Sequence, residues 1–331
     1  MTEQNGIHPN IPKPIFYPSV SSVSKNIWSV LDHIELLVSI DYPQFLVSCF
    51  DIFENQRNQH IQSALEKAKD QCQTVLWDSG IYEVVWSRSN KWSKKQYIET
   101  LKKNSFYQAF SFDDYCLKKE EQTPSSIAHS VLNDIKEVGK STISPIIHCH
   151  SPKNYPTTCF EVSQICKPKL IAIPERELGE GVIEISMNIR KIRSKLNKLD
   201  KYQPLHILGT GNPISMMLYT FAGADSFDGL DWCQTVVDFE KGTLHHPLHL
   251  DLYKHQSTWG ENKDISFFAR CYLHNLEFYK NWMISLYKSL MNNQIERMMQ
   301  NHLSSIFFDK IAPVILHTDK IDEVLNEIVA N

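Results

Sequence analysis

The chain has 331 residues, a formal net charge of −4, 42 % hydrophobic and 22 % charged residues, which supplies a sizeable core and suits an α/β barrel folded as one domain. That charge excludes a broadly basic polyanion binder while leaving room for a local basic stripe. No run approaches the ~20 apolar residues that span a bilayer, so no membrane partner is expected.

Residues 1–13 are polar and proline-containing, unlike a basic-then-apolar leader, and read as the tail of a protein expected in the cytoplasm. Beyond them a rhythm repeats: a short β-branched apolar run, a turn, then a segment of helical period. An extended piece at 14–19 is followed by runs at 44–52, 74–80, 107–114, 143–150, 169–175, 205–211 and 225–231, which makes eight strands. Helix candidates between them cover 57–71, 94–103, 127–139, 155–165, 182–198 and 213–222. Strands alternating with helices imply parallel βαβ units, and eight is the number that closes a (β/α)8 TIM barrel. The same alternation also fits an open doubly wound sheet.

After residue 231 the rhythm stops. Residues 232–264 are rich in His and polar groups, and 265–300 read as one or two long amphipathic helices through Phe267, Phe268, Leu273, Leu276, Tyr279 and Met283. A last segment, 306–331, is expected to pack back on the barrel. The organisation expected is a tail over 1–13, a barrel core over 14–231 and a helical C-terminal elaboration over 232–331. Eight scattered cysteines without a CxxC pair read as reduced, mostly buried thiols.

Acidic residues fall where these strands end. Asp78 follows Thr74-Val75-Leu76-Trp77, Asp113 and Asp114 follow Ala109-Phe110-Ser111-Phe112, Glu175 follows Ile173-Pro174, and Asp228 follows Ser226-Phe227. In a parallel barrel those ends share one rim, the rim that carries active sites. Any one of them alone reads equally well as a helix cap; four like charges on one rim ask for a stronger reason. Two carboxylates across a pocket suit glycosyl chemistry, one attacking the anomeric carbon and the other protonating the leaving group. Beside Asp78, Ser79-Gly80 forms a turn in which Gly80 allows close backbone approach to a ligand, and Tyr82 offers a flat face for a base or an ordinary half-buried aromatic.

His206-Ile207-Leu208-Gly209-Thr210-Gly211-Asn212-Pro213, followed by Phe221-Ala222-Gly223-Ala224-Asp225-Ser226-Phe227-Asp228, resembles the last barrel strands of the tRNA-guanine transglycosylase superfamily. Leu76-Trp77-Asp78-Ser79-Gly80-Ile81-Tyr82 is similar to the family's Asp-Ser-Gly-Gly-aromatic loop, Ser111-Phe112-Asp113-Asp114-Tyr115-Cys116 to its guanine-reading segment, and Pro14-Ile15-Phe16-Tyr17-Pro18 to its opening strand. The matches occur in family order over about residues 14–280. The resemblance implies a barrel with Asp228 as nucleophile, Asp78 as general acid/base, Ser79, Gly80 and Tyr82 around the base, and Asp113 on the guanine edge.

The departures bear on specificity and on metal. Ile81 replaces the loop's second glycine, and His148 stands where the family has a base-reading Gln, with a neutral imidazole able to make one such bond. Pro174-Glu175-Arg176-Glu177-Leu178-Gly179-Glu180 puts charged groups into a glycine loop, which places Glu175 and Gly179 among the expected substrate contacts. His274 falls at the family's zinc-ligand position, but the three-cysteine cluster is absent and His245, His246, His249, His255 and Cys271 have no standard zinc spacing. No metal or other cofactor is expected, and His274 reads as a plain helix residue. The pair His148 and His150 reads as barrel lining on one strand face. Basic residues Arg190, Lys191, Arg193, Lys195 and Lys198, with Lys91, Lys94, Lys95, Lys102 and Lys103, read as solvated helix faces, the alternative being phosphate contacts at the rim.

Together these expectations describe a base-exchange transglycosylase that replaces guanine in a nucleic acid with a 7-deazaguanine such as preQ0. The altered glycine loop resembles that of the DNA transglycosylases, so DNA is favoured over tRNA, with partner proteins of a modification system conceivable. A nucleosidase using water as acceptor, or a catalytically silent nucleic-acid-binding subunit, are the alternatives.

Overall fold

The computed structural model describes residues 13–24, 28–87, 92–104, 106–113, 122–140 and 142–316. Asp114, Cys116 and Lys91, along with 1–12 and 317–331, lie outside the described residues. The strands are β1 (Ile15–Val20), β2 (Gln44–Ser48), β3 (Thr74–Asp78), β4 (Gln108–Phe110), β5 (Ile143–Ser144), β6 (Ile171–Pro174), β7 (Leu205–Leu208) and β8 (Ser226–Gly229). They form one eight-stranded sheet in the order β5-β4-β3-β2-β1-β8-β7-β6, and every neighbouring pair is parallel. A parallel bridge between Ile146 and Ala172, with the Ile147 N–H donating to the Ala172 carbonyl at 2.8 Å, joins the two edges. The fold is a (β/α)8 barrel, and the open-sheet alternative is set aside.

Among the described residues the helices between the strands are α1 (Val30–Ser39), α2 (Cys49–Glu54), α3 (Gln59–Asp70), α4 (Ile81–Ser87), α5 (Lys94–Lys103), α6 (Pro124–Val138), α7 (Tyr155–Cys166), α8 (Val182–Leu196) and α9 (Pro213–Ala222). Local chemistry sets their ends. Thr123 and Ser126 make a reciprocal capping box before Pro124, and Gly139 ends that helix in the left-handed region at φ 75°. Asn212 caps α9 by accepting from the backbone of Ile214 and Ser215.

Two differences from the expected elements have physical causes. The run at 44–52 divides at Ser48, whose side chain accepts from the Asp51 N–H and turns the chain from strand into α2. Helix α1 has no counterpart among the expected segments, although Ser29 and Asp32 form a capping box at its start. The other runs are trimmed because the ladder ends where the chain turns outward. The run at 143–150 keeps only β5 and the single bridge at Ile146, so its last residues do not continue a strand.

Beyond β8 come a four-residue helix α10 (Asp231–Gln234), a hairpin of β9 (Val236–Asp238) and β10 (Thr243–His245), a short α11 (Leu250–Tyr253), and then α12 (Phe267–Met291), α13 (Ile295–His302) and α14 (Ser305–Leu316). Helix α12 packs on the outer side of β1, where Tyr279 stacks on Phe16 with ring centroids 4.3 Å apart and donates to the Gly211 carbonyl at 2.8 Å. It thus occupies the place of an eighth barrel helix. Helix α14 packs against α8 and α9. Among the described residues no helix is long and apolar enough to cross a membrane. The seven described cysteines are free; Cys49, Cys159, Cys233 and Cys271 are buried, and Cys72 is exposed.

The basic stripe on α8 is not a uniform solvated face. Arg193 is buried, pairs with Asp225, and donates to the Gly223 carbonyl at 2.8 Å and the Gln203 carbonyl at 2.9 Å. Asp225 in turn accepts from the Tyr202 hydroxyl and from the Leu205 N–H at 2.7 Å. This cluster ties α8 to the starts of β7 and β8. Replacing Arg193 with Met strands the buried Asp225 carboxylate, and urea unfolding is expected to show a loss of about 3–5 kcal/mol.

Candidate active site

Side chains of a strand alternate between its two faces, so residues i and i+2 point the same way. Inside the barrel this produces an apolar floor of Tyr17, Leu46, Leu76, Phe110, Ile146 and Ala172. Two residues further along the chain, Tyr17 gives way to Ser19, Leu46 to Ser48 and Leu76 to Asp78 on their strands, and Ile146 to His148 just beyond β5. On β8 the same step runs from Ser226 to Asp228. A cavity of about 400 Å³ opens above the floor, and Ser19, Asp78, Asp113, His148, Glu175 and Asp228 all line it.

Asp228 is buried and fastened by three donors. The Ser19 hydroxyl donates to Oδ2 at 2.8 Å, while His206 Nε2 and the Gly209 N–H meet Oδ1 at 3.1 and 3.0 Å. His206 is itself held through Nδ1 by Ser226 Oγ at 2.8 Å. The carboxylate therefore has a set orientation at the end of β8.

Asp78 has a different environment. The Gly80 N–H donates to its Oδ2 at 3.1 Å. Burial, together with the charges of Asp228 and Asp113, pushes its carboxyl up to about 7 against the opposing backbone N–H groups of Gly80 and Ser79. One cavity thus holds a firmly bonded carboxylate and a carboxyl that keeps its proton near neutrality, the division of roles needed for nucleophile and acid.

The remaining expected residues separate into those the cavity brings together and those it does not. Ser79 lines it, and its carbonyl accepts from Trp92 Nε1 at 3.0 Å. Tyr82 on α4 is 42 % exposed at the mouth, beside Trp86 at 6.1 Å between ring centroids, so its face is available for stacking. Glu175 lines the cavity and accepts from the Tyr219 hydroxyl at 2.8 Å; burial raises its carboxyl.

Gly80 and Gly179 do not line the cavity itself, and each has a packing role beside it. Gly80 has φ +85°, and a Cβ there would lie 2.6 Å from the Cβ and backbone N of Phe50, so its lack of a side chain serves the packing of the Asp78 loop on α2. Gly179 has φ +136° and abuts the Glu184 side chain, whose carboxylate accepts from the Glu180 N–H at 2.7 Å at the start of α8.

His148 also differs from expectation. It is buried, its Nε2 lies 2.9 Å from Asp113 Oδ2, and its Nδ1 lies 2.8 Å from Glu177 Oε1. Burial opposes charge on the ring, but the two carboxylates outweigh it and push His148 up to about 9. The ring lines the cavity with both nitrogens engaged by carboxylates, an environment that favours its protonated form. Nor do His148 and His150 share a face: His150 is exposed, because the chain has left the ladder by that point.

Sequence reasoning passed over Glu83. This residue on α4 is 3 % exposed, lines the cavity, and accepts from the hydroxyls of Ser21 and Ser48. Burial and the nearby Asp51 and Asp78 push its carboxyl up to about 8. The available signal was a lone acid inside the apolar helix Ile81-Tyr82-Glu83-Val84-Val85.

The zinc position does not fit a metal. His274 is fully buried with Nδ1 2.8 Å from Ser257 Oγ and Nε2 2.8 Å from the Val237 carbonyl, so both ring nitrogens already have protein partners. Among the described residues no three His, Cys, Asp or Glu side chains gather as a metal site. Neighbouring Asn275 donates to the Trp232 and Thr235 carbonyls and accepts from the Val237 N–H. The two residues fasten the chain leaving β8 through hydrogen bonds.

No protein-family model matches the chain, and no curated protein matches it.

The raised Asp78 carboxyl has a consequence for stability. Because the folded state holds this proton more tightly than the unfolded chain, its contribution declines as pH rises from about 4 through about 7. Asp78→Asn removes that decline. Thermal unfolding of the variant should match or trail wild type near pH 4 and gain on it by on the order of 2 kcal/mol at pH 8.

Proposed function

We propose that the protein exchanges a guanine-type base on a nucleic-acid sugar by double displacement at the barrel mouth, with Asp228 as nucleophile and Asp78 as acid and base. The observation that carries this reading is the placement of those two carboxyls in one cavity under opposite conditions. The ordered motif resemblance supplies the choice of base and polymer.

In the first displacement an Asp228 oxygen bonds to C1′ of the target nucleotide as the bond from C1′ to the base breaks, and Asp78 delivers its proton to the departing base. An incoming 7-deazaguanine then gives a proton to Asp78, bonds to C1′ and releases Asp228 as a carboxylate. Asp113 accepts from the ring N–H and exocyclic amine that guanine and its 7-deaza analogues share, which is why one pocket serves both half-reactions. Tyr82 stacks on the base. The target nucleotide leaves its own stack to reach the cavity. DNA is the favoured polymer on the likeness of the loop Pro174-Glu175-Arg176-Glu177-Leu178-Gly179 to that of the DNA transglycosylases.

The test is incorporation of labelled guanine or preQ0, offering DNA and tRNA separately. Asp228→Asn is expected to lower exchange by about 10³-fold or more and to abolish a denaturant-resistant protein–nucleic acid adduct; Asp78→Asn should also be inactive. Undiminished incorporation by Asp228→Asn defeats the mechanism. Release of free base with no incoming heterocycle assigns hydrolysis instead.

A further inference from the structure

Asp113 is bonded to His148, whose ring is pushed up by two carboxylates, and that ring is the start of a chain of bonds leading away from the cavity. His148 Nε2 meets Asp113 Oδ2 at 2.9 Å; on its other side Nδ1 meets both Glu177 oxygens, at 2.8 and 3.0 Å; and the Tyr155 hydroxyl donates to Glu177 Oε2 at 2.6 Å. The links come from four places in the fold. Asp113 follows β4, His148 follows β5, Glu177 closes the turn after β6, and Tyr155 opens α7. The His148 side chain is 1 % exposed, with 11 % for Asp113 and 17 % for Glu177, and Tyr155 is fully buried.

We infer that Tyr155, Glu177 and His148 form a positioning relay that holds Asp113 as an anionic acceptor with its orientation set, and that this relay makes the site selective for heterocycles presenting two adjacent N–H donors. The inference rests on the functional reading above and adds to it how recognition is tuned.

Three physical points support it. A ring with carboxylates at both nitrogens must donate from both, so His148 offers substrate no acceptor. Charge-assisted bonds are short and directional, and the stretch of chain carrying His148 is anchored to the sheet by the Ile147 bond to Ala172, so the relay has a rigid base. Asp113 and Glu177 are bonded to the two nitrogens of the His148 ring, the Tyr155 hydroxyl is bonded to Glu177, and the Cys149 thiol near Glu177 is pushed up by burial to about 11. A carboxylate held in this way accepts well from a paired ring N–H and amine, and is left half-used by a base lacking the amine.

The test compares guanine with hypoxanthine, which lacks the exocyclic amine, as labelled incoming base in the exchange assay. Wild type is expected to favour guanine by about 10-fold or more in kcat/KM. Glu177→Gln keeps the shape and removes the charge behind His148. It should raise KM for guanine by about 10-fold, change kcat much less, and shrink the guanine preference. Tyr155→Phe deletes one hydroxyl and should move the same two quantities in the same direction by a few-fold, which covers the case in which Glu177→Gln does not fold. A folded Glu177→Gln or Tyr155→Phe protein that keeps wild-type KM and preference overturns the relay while leaving base exchange standing. So does wild type that exchanges both bases equally. Wild type that exchanges neither base overturns the functional reading, and the relay with it. As an assay-independent check, ¹⁵N NMR of the His148 ring at neutral pH should show both nitrogens protonated; a neutral ring overturns the relay.

Discussion

Closing a parallel barrel around its own side chains forces inward residues into layers, and the character of each layer is set by a step of two along every strand. Here the lower layer is apolar and the next one is polar, with carboxyl groups from β3 and β8 and from the turn after β4 meeting in a partly enclosed space. Removing such groups from water is costly unless each finds donors, a cation or a proton. The arrangement at the mouth of the barrel follows from how that cost is met.

It is met differently for each acid. Asp228 is given three donors, one from β1, one from β7 and one from the backbone after β7. Asp113 is given the His148 cation, and Glu83 two serine hydroxyls. Asp78 receives backbone N–H groups and faces two other carboxylates, and it and Glu83 are both pushed up towards holding a proton. Chemical roles in the cavity thus come from the distribution of partners, since the side chains are of one kind.

The same economy of hydrogen bonds appears behind the barrel. His274 and Asn275 on α12 together engage Ser257, Trp232, Thr235 and Val237, and so lock the segment that leaves β8 against the helix covering β1. Tyr279 and Trp282 on the same helix reach the carbonyls of Gly211 and Pro213, at the start of α9. The C-terminal elaboration therefore supports the last two barrel strands, and through them Gly209 and Asp228, by hydrogen bonds.

The alternation of β-branched runs with helical segments was enough to read eight parallel strands, because strand period and helix period are local properties of a chain, whereas the bridge from Ile146 to Ala172 that closes them into a barrel appears only in the tertiary structure. Acids at strand ends were legible for the same reason, and Asp78, Asp113, Glu175 and Asp228 do meet around one cavity. What the sequence did not contain was partnership. That Gly80 packs on Phe50, that His148 is held between Asp113 and Glu177, and that Glu83 turns into the cavity all depend on residues tens of positions apart meeting across loops. Periodicity places a side chain on a face; only the closed barrel decides which groups share that face, and burial among those groups decides which of them carry charge.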